Sequence, residues 1–250
     1  MQLFIAKNKK FGNKKALEVI KKQILSKPSL LIGLAVGKTT DGLYKLVSRD
    51  VSNHSKIWRR VKVFQIDEKL GVSPNAPLSF NYEVRRELKD LIKIINSKNI
   101  FLMDGTKNPK ITIKDAYRFI KKNKGIDLII LGIGPEHDPH IAYNTTGKSA
   151  INSRMRVVEL HPLVAKKIKC KGDRPVAPTK GITLGIKDIL DSKKVLLIAY
   201  GKDKTKSLKL AFGGKVNMKR ASASALLLHK DLHIVIDKDA AFNLQNIETV

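Results

Sequence analysis

One segment, residues 126–144, limits the folds open to this chain more than any other. It contains four consecutive aliphatic residues, Leu128 to Leu131, between Gly125 and the pair Gly134-Pro135. An uninterrupted apolar run of this kind is typical of a strand that is buried on both faces. The chain is therefore expected to build a sheet that is covered by helices on its two sides.

Four ionisable side chains follow this run within five positions: Glu136, His137, Asp138 and His140. Ligands of open α/β sheets bind at the carboxyl ends of the strands. An aspartate that is hydrogen-bonded to a histidine orients the imidazole for proton transfer, so Asp138 and His140 are candidate acid–base groups. A metal site is the alternative, with His137, Asp138 and His140 as ligands. No H-x-x-x-H helix or cysteine pair supports a metal site here, and no metal is expected.

The rest of the chain alternates between helical and strand-like apolar spacing. The spacing predicts helices at residues 14–27, 41–53, 81–97, 113–123, 183–190, 203–212 and 221–228. It predicts strands at residues 30–36, 61–66, 100–103, 128–133, 156–160, 194–200 and 232–236. This alternation favours an α/β fold with a Rossmann-like, mostly parallel sheet and helices on both faces, in a single domain of residues 1–250. Residues 161–179 are basic, contain three prolines, and are expected to form a mobile lid.

The charge is strongly positive, with 49 Lys and Arg against 22 Asp and Glu, giving a net charge of +27. A nucleic-acid surface is one interpretation, and a lysine-rich composition without a partner is the other. The lysines are spread along the chain without a basic tail or interleaved aromatic residues, so a nucleic-acid partner is not expected. The positive field would still favour a phosphorylated small molecule.

The single cysteine, Cys170, excludes an internal disulfide and makes a cytoplasmic location natural. Residues 1–15 lack the apolar core of a signal peptide, and no apolar window reaches the length of a membrane span. The sequence leaves the oligomeric state open, a homo-oligomer included.

Two further motifs follow predicted strands. Gly37, Lys38 and Thr39 lie between a strand and a helix, where a glycine and free helical N–H groups can receive a phosphate, although an ordinary turn is equally consistent. Asp67 and Glu68 end the strand at residues 61–66. Either can act as a base beside a substrate, or cap a helix.

A third motif places Lys202 and Lys204 after the strand at residues 194–200. A phosphate can sit at this end of a strand, and Lys204 is then a candidate ligand. Ordinary surface lysines are the alternative in a chain with so many of them.

Taken in order, six segments resemble the glucosamine-6-phosphate deaminase (isomerase) family, which shares its fold with the 6-phosphogluconolactonases. They are G-L-A-V-G-K-T-T-D-G-L-Y-K (33–45), F-Q-I-D-E (64–68), H-I-A-Y-N (140–144), S-R-M-R-V-V (153–158), T-L-G-I with D-I-L-D-S-K-K-V (183–195) and G-K-D-K (201–204). The resemblance covers about residues 30–237. H-I-A-Y-N is closer to the H-I-A-F-N of the deaminases than to the lactonases.

The resemblance implies a conversion of glucosamine 6-phosphate and water to fructose 6-phosphate and ammonia, without metal or organic cofactor. Asp67 would move the proton between C2 and C1, and His140, oriented by Asp138, would assist ring opening. The residues that would hold the phosphate are Gly37, Lys38, Thr39 and Lys204.

The chain departs from the family pattern around the histidine loop. The spacing from Gly134 to His140 is two residues longer, and Pro139 replaces a glycine, which makes His137 an alternative equivalent of the family histidine. Thr145 stands where the deaminases carry a glutamate that takes part in ring opening, and it cannot carry a proton as a carboxylate does. The hypothesis is that Glu136, which the longer loop introduces, compensates.

Two departures concern the phosphate. Lys38 replaces a small residue, and Arg174 is the only arginine in the expected lid. Three functions remain open from the sequence. The first is a divergent deaminase, and the second is a lactonase-like hydrolase in which His140 activates water. The third is a sugar-phosphate-binding protein without activity.

Overall fold

The computed structural model describes residues 1–162, 178–242 and 244, and its main sheet has seven parallel strands. In spatial order they are β1 (Gln2–Ala6), β10 (Leu232–Asp237), β9 (Val195–Ala199), β6 (Leu128–Leu131), β2 (Leu31–Leu34), β3 (Lys62–Gln65) and β5 (Ile100–Phe101). A smaller antiparallel sheet contains β4 (Asp67–Lys69), β8 (Lys180–Thr183) and β7 (Arg156–Glu159).

Eight α-helices and three short 3₁₀ segments connect the strands within the described residues. The helices are α1 (Lys9–Ser26), α2 (Asp41–Asn53), α3 (Ser55–Trp58), α4 (Phe80–Glu87), α5 (Lys89–Ile94), α6 (Pro109–Lys122), α7 (Ile186–Leu190) and α8 (Thr205–Phe212). The 3₁₀ segments are Ser97–Asn99, Lys202–Lys204 and Ser222–Leu228. None of the described helices combines the length and the apolar composition that a bilayer span requires.

Strand β6 packs against two separate hydrophobic cores, one on each face of the main sheet. Leu128 and Ile130 belong to the core that α1 to α5 cover. Ile129 and Leu131 belong to the core that includes side chains of α6, α7 and α8. This alternation confirms the prediction of a doubly buried strand, and the α/β fold with a mostly parallel sheet is also confirmed.

Several element boundaries differ from the prediction. Strand β1 was not predicted, and residues 81–97 form two helices because Leu88 leaves helical geometry at φ −111° and ψ 29°. The helix predicted at residues 183–190 begins only at Ile186, because residues 180–183 pair in the small sheet. Most of the lid predicted at residues 161–179 lies outside the described residues, as do Cys170 and Arg174.

The small sheet holds Asp67 just beyond the carboxyl end of strand β3 of the main sheet. Ile66 alone separates β3 of the main sheet from β4 of the small one. In β4, Asp67 pairs with Thr183 of β8, so its position is fixed by strand pairing and not by a loop. The carboxyl ends of β2 and β6, which are neighbours in the main sheet, lie on the same side as this junction.

Candidate active site

A cleft of about 180 Å³ opens where β2, β3 and β6 end. Its lining residues are Ala35 to Thr40, Asp67, Phe80, Gly132 to Gly134, His140, Ala142 and Tyr143. Two larger surface grooves, of about 530 and 420 Å³, share Glu136, Lys206 and Lys209 and contain neither Asp67 nor His140. The smaller cleft is the better candidate because three predicted motifs meet in it.

Asp67 is buried in the cleft, with 4% of its surface exposed. Its Oδ1 atom is buried and accepts no hydrogen bond from any described residue. Burial raises the pKa of Asp67 to about 7, although the positive charge of Lys69 acts in the opposite direction. A carboxyl group that is half ionised near neutral pH and keeps one free oxygen is suited to accept and return a proton.

The neighbouring Glu68 is a structural carboxylate. It is completely buried, and its two oxygens accept hydrogen bonds from five donors: Gln65 Nε2, Lys69 N, Ser79 Oγ, Phe80 N and Asn81 N. These bonds fix the start of α4 to β4, and they leave Glu68 no free oxygen to offer a substrate. Of the two acids in F-Q-I-D-E, only Asp67 faces the cleft.

Asp138 and His140 form the hydrogen-bonded pair that the sequence suggested, with 2.9 Å between Asp138 Oδ2 and His140 Nδ1. The backbone N–H of Thr146 donates to Asp138 Oδ1 at 2.8 Å. Burial raises the pKa of Asp138, but the hydrogen bond and charge of His140 and the Thr146 contact outweigh it and hold the pKa at about 2. The carboxylate therefore stays ionised and fixes the His140 ring with Nε2 left for a ligand.

Gly134 allows the loop to fold back against this pair. A Cβ atom at Gly134 would lie 2.2 Å from the carbonyl oxygen of Asp138 and 2.6 Å from His140 Nδ1. The N–H of Gly134 donates to the carbonyl oxygen of His140 at 2.8 Å. Pro139, in place of the glycine of the family pattern, is buried, and its carbonyl oxygen accepts a hydrogen bond from Ala223 N at 3.0 Å.

The loop from Gly37 to Thr40 lines the opposite wall, at the start of α2. Gly37 has φ +149°, which L side chains rarely adopt, and its carbonyl accepts hydrogen bonds from the N–H and Oγ1 of Thr40. Lys38 is exposed on the loop, and Lys9 Nζ donates to its carbonyl oxygen at 3.1 Å. Lys9, which sequence reasoning missed, thus adds a second ammonium group to a loop suited to an anion.

Glu136, His137 and Lys204 lie outside the cleft lining, as do Glu68, Asp138 and Thr145. Glu136 forms an ion pair with Lys206 at 2.9 Å, and its side chain is 53% exposed. His137 is exposed, with its ring centroid 5.5 Å from that of His161. Lys204 follows β9, the neighbour of β6, and lies 3.5 Å from Asp203 Oδ2. The geometry favours His140 over His137 as the family histidine, and it does not bring Glu136 to the cleft.

Thr145 occupies the loop after His140, half-buried, and its N–H donates to the carbonyl of Tyr143. The hydrogen bond to Asp138 comes from the next residue, Thr146. Within residues 1–162, 178–242 and 244, no group of three or more His, Cys, Asp or Glu side chains is arranged to hold a metal ion.

Two aromatic residues of the cleft were not singled out from the sequence. Phe80 and Tyr143 stack with 5.8 Å between ring centroids and 20° between planes. Tyr143 is the one residue by which H-I-A-Y-N differs from the deaminase pattern, so the signal was present in the motif.

A sequence model of the family described as glucosamine-6-phosphate isomerases/6-phosphogluconolactonase matches residues 10–234. A glucosamine-6-phosphate deaminase of Clostridium botulinum (strain Langeland) is 34% identical over 247 residues, which cover 98% of this chain and 99% of that protein. The glucosamine-6-phosphate deaminase of Thermoanaerobacter sp. (strain X514) is 35% identical over 244 residues, with 96% and 94% covered.

Solved structures agree with these similarities. The structure of a monomeric glucosamine-6-phosphate deaminase has a TM-score of 0.87 and 26% identity, and covers 97% of this chain and 99% of that chain. The 6-phosphogluconolactonase from Trypanosoma cruzi has a TM-score of 0.77 and 21% identity, with 98% and 97% covered, and shares the fold.

Proposed function

The chain belongs to the family of glucosamine-6-phosphate isomerases and 6-phosphogluconolactonases, and on that premise we propose that it is a glucosamine-6-phosphate deaminase. It converts glucosamine 6-phosphate and water to fructose 6-phosphate and ammonia, through an aldose–ketose isomerisation. Relatives of that name align with nearly the whole chain, which supports the deaminase over the lactonase.

One observation carries this proposal: the buried Asp67 keeps a free oxygen in the cleft that also contains His140. Removal of a proton from carbon needs a carboxylate that is not already occupied by hydrogen bonds. Hydrolysis of a lactone needs an activated water molecule, and it needs no base that removes a proton from carbon. The arrangement therefore suits an isomerisation better than it suits a lactonase.

In the proposed mechanism His140 exchanges a proton with the ring oxygen as the sugar opens. Asp138, kept ionised beside Nδ1, stabilises the imidazolium that forms when His140 takes a proton. Asp67 then takes the proton from C2 and returns it to C1, through an enolamine, the amino counterpart of an enediol. The resulting imine at C2 is hydrolysed, which releases ammonia and leaves the ketose.

The phosphate is held at the other wall of the cleft. Gly37, Lys38 and Thr39 present backbone N–H groups, a hydroxyl and an ammonium group at the start of α2. Lys204 completes the site if the bound substrate extends past the end of β6 towards β9. This anchoring leaves C1 and C2 free to lie near Asp67.

The substrate is a phosphorylated amino sugar, and the single cysteine supports a cytoplasmic location. Nucleic acid is not proposed as a partner, because the basic residues are spread along the chain.

The test measures ammonia and fructose 6-phosphate released from glucosamine 6-phosphate by the purified chain. The same preparation is assayed with 6-phosphogluconolactone. We expect the two products in equal amounts and no lactone hydrolysis above the spontaneous rate. Lactone hydrolysis without ammonia would replace the deaminase with the hydrolase. Thermal stabilisation by the sugar phosphate without either reaction would indicate a binding protein.

A further inference from the structure

Tyr143 lines the cleft together with Asp67 and is positioned there by three neighbours. Its backbone N–H donates to Thr183 Oγ1 at 3.1 Å, and Thr183 is the strand partner of Asp67 between β8 and β4. Its ring stacks on Phe80 and is so close to Gly181 that a Cβ atom there would approach Tyr143 Cδ2 to 3.0 Å. The position of the phenol is therefore fixed from three sides before any ligand binds.

The hydroxyl of Tyr143 has no hydrogen-bond partner among the described residues. Its oxygen is buried and makes no hydrogen bond with any described residue, as is also true of Asp67 Oδ1. Both residues line the cleft. Buried polar atoms are nearly always paired, because an unpaired one loses its bonds to water without replacement. Two unpaired oxygens in one cleft indicate a bound molecule that pairs with both.

The phenol can act only as a neutral group. Burial raises the pKa of Tyr143 well above its ordinary value, and the negative charge of Asp67 adds to this effect. A neutral phenol beside a carboxylate keeps its proton and donates it in a hydrogen bond. Such a donor is most effective toward an oxygen that gains negative charge during the reaction.

We propose that Tyr143 is a further catalytic residue, whose hydroxyl donates a hydrogen bond to the O1 oxygen of the open-chain sugar while Asp67 removes the C2 proton. In this step the C2–H bond breaks, a C1–C2 double bond forms, and the π electrons of the C1 carbonyl move to O1. Asp67 receives the C2 proton and later returns it to C1, while the lone pair of the amino nitrogen forms the C2=N bond. One N–H proton of the amino group passes to O1, which becomes the C1 hydroxyl. The inference rests on the proposed function, since it assigns a role in that same reaction.

The family pattern does not contain this hydroxyl. The deaminase pattern H-I-A-F-N has a phenylalanine at this position and therefore no hydroxyl. The present chain has also lost the glutamate of that pattern to Thr145. The hydroxyl of Tyr143 lies two residues before Thr145, the position at which the pattern has its carboxylate. It gives the cleft a polar contact with the substrate that the pattern lacks.

The test compares Tyr143→Phe with Tyr200→Phe. Tyr200 is a matched control because its hydroxyl is also buried without a hydrogen bond to any described residue, yet it does not line the cleft. With glucosamine 6-phosphate we expect Tyr143→Phe to lower kcat about tenfold to a hundredfold, the range of a hydrogen bond to a charged group, with KM within about twofold. Its melting temperature should stay equal or rise, because an unpaired buried hydroxyl is removed. Tyr200→Phe should keep the wild-type kcat.

A second measurement separates this inference from the proposed function. The dissociation constant of a five-carbon phosphorylated hydroxamate, an anionic mimic of the enediolate, is measured for the same proteins. Tyr143→Phe should raise this dissociation constant about tenfold. If this loss appears although the wild type releases no ammonia, only the proposed deaminase fails. If the wild type releases ammonia and Tyr143→Phe keeps kcat and hydroxamate affinity within about twofold, only the role of Tyr143 fails. A wild type that neither reacts nor binds the hydroxamate overturns both.

Discussion

Asp67 combines burial with a free oxygen, and this sets the pH range in which it can act as a base. Its pKa of about 7 means that the carboxylate forms only as the pH rises through neutrality. We therefore expect kcat/KM to increase with pH and to level off above a midpoint near 7. The pKa values of the substrate phosphate and amine are measured separately, and their contribution to the pH profile of kcat/KM is subtracted. A midpoint near pH 4 would show that Asp67 is an ordinary carboxylate or is not the base.

The same burial gives Asp67 an effect on stability. Its pKa is raised above the ordinary value of 3.8, so the folded protein binds the proton more tightly than the unfolded chain does. This contribution to stability is complete below pH 3.8 and is lost as the pH rises to about 7. Asp67→Asn, which does not titrate, should gain in unfolding free energy relative to the wild type by at most about 1.4 kcal/mol per pH unit across this interval. Urea unfolding at pH 5, 6, 7 and 8 measures it, and a constant difference would contradict the raised pKa.

The carboxylates Asp138 and Glu136 share one loop but differ in their contacts. Asp138 accepts the hydrogen bond of His140, whereas Glu136 pairs with Lys206 outside the cleft. Asp138→Asn should lower kcat/KM about tenfold or more, because His140 loses its orienting charge. Glu136→Gln, the matched control, should stay within about twofold of the wild type. Equal losses of kcat/KM in both variants would show that Glu136 takes part in proton transfer.

At the scale of elements, the turn after β6 depends on the absence of one side chain. Gly134→Ala would place a methyl group against Asp138 and His140, at contact distances that real structures do not show. We expect a loss of about 1–3 kcal/mol in unfolding free energy, the usual range for overpacking, together with a large loss of turnover. Gly214→Ala is the control, since its Cβ would meet no atom of the described part of the chain within 4 Å. Full activity of Gly134→Ala would mean that the loop has another conformation in solution.

Elements with local signals could be predicted from the sequence, and elements built on distant pairing could not. Helix α2 was predicted at residues 41–53, where it lies, because its apolar spacing is regular. Strands β4 and β8 are short, and they exist because Asp67 to Lys69 pair with residues more than a hundred positions away. No window of the sequence contains that information. The structural role of Glu68 could not be read from F-Q-I-D-E either, since three of its donors lie on residues 79–81, outside that motif.

At the scale of the whole molecule, the order of the motifs carried more information than any single one. The alternation of strands and helices predicted a parallel sheet. A parallel sheet brings the strand ends at residues 37–40, 67 and 134–140 to one edge. The direction taken by a loop that is two residues longer is not encoded in such a pattern. This is why the pairing of Glu136 with Lys206 and the exposure of His137 became visible only in the structure.

The fate of the hydrogen at C2 tests the central claim, that Asp67 carries out an isomerisation which releases ammonia. Glucosamine 6-phosphate that is deuterated at C2 is incubated with the wild type and with Asp67→Asn, and the products are followed by NMR. We predict that the wild type forms fructose 6-phosphate with the label moved to C1 or lost to water. Asp67→Asn should be slower by about a hundredfold or more, the usual contribution of a general base. Conversion of the labelled sugar by Asp67→Asn at a rate close to the wild type would contradict the account.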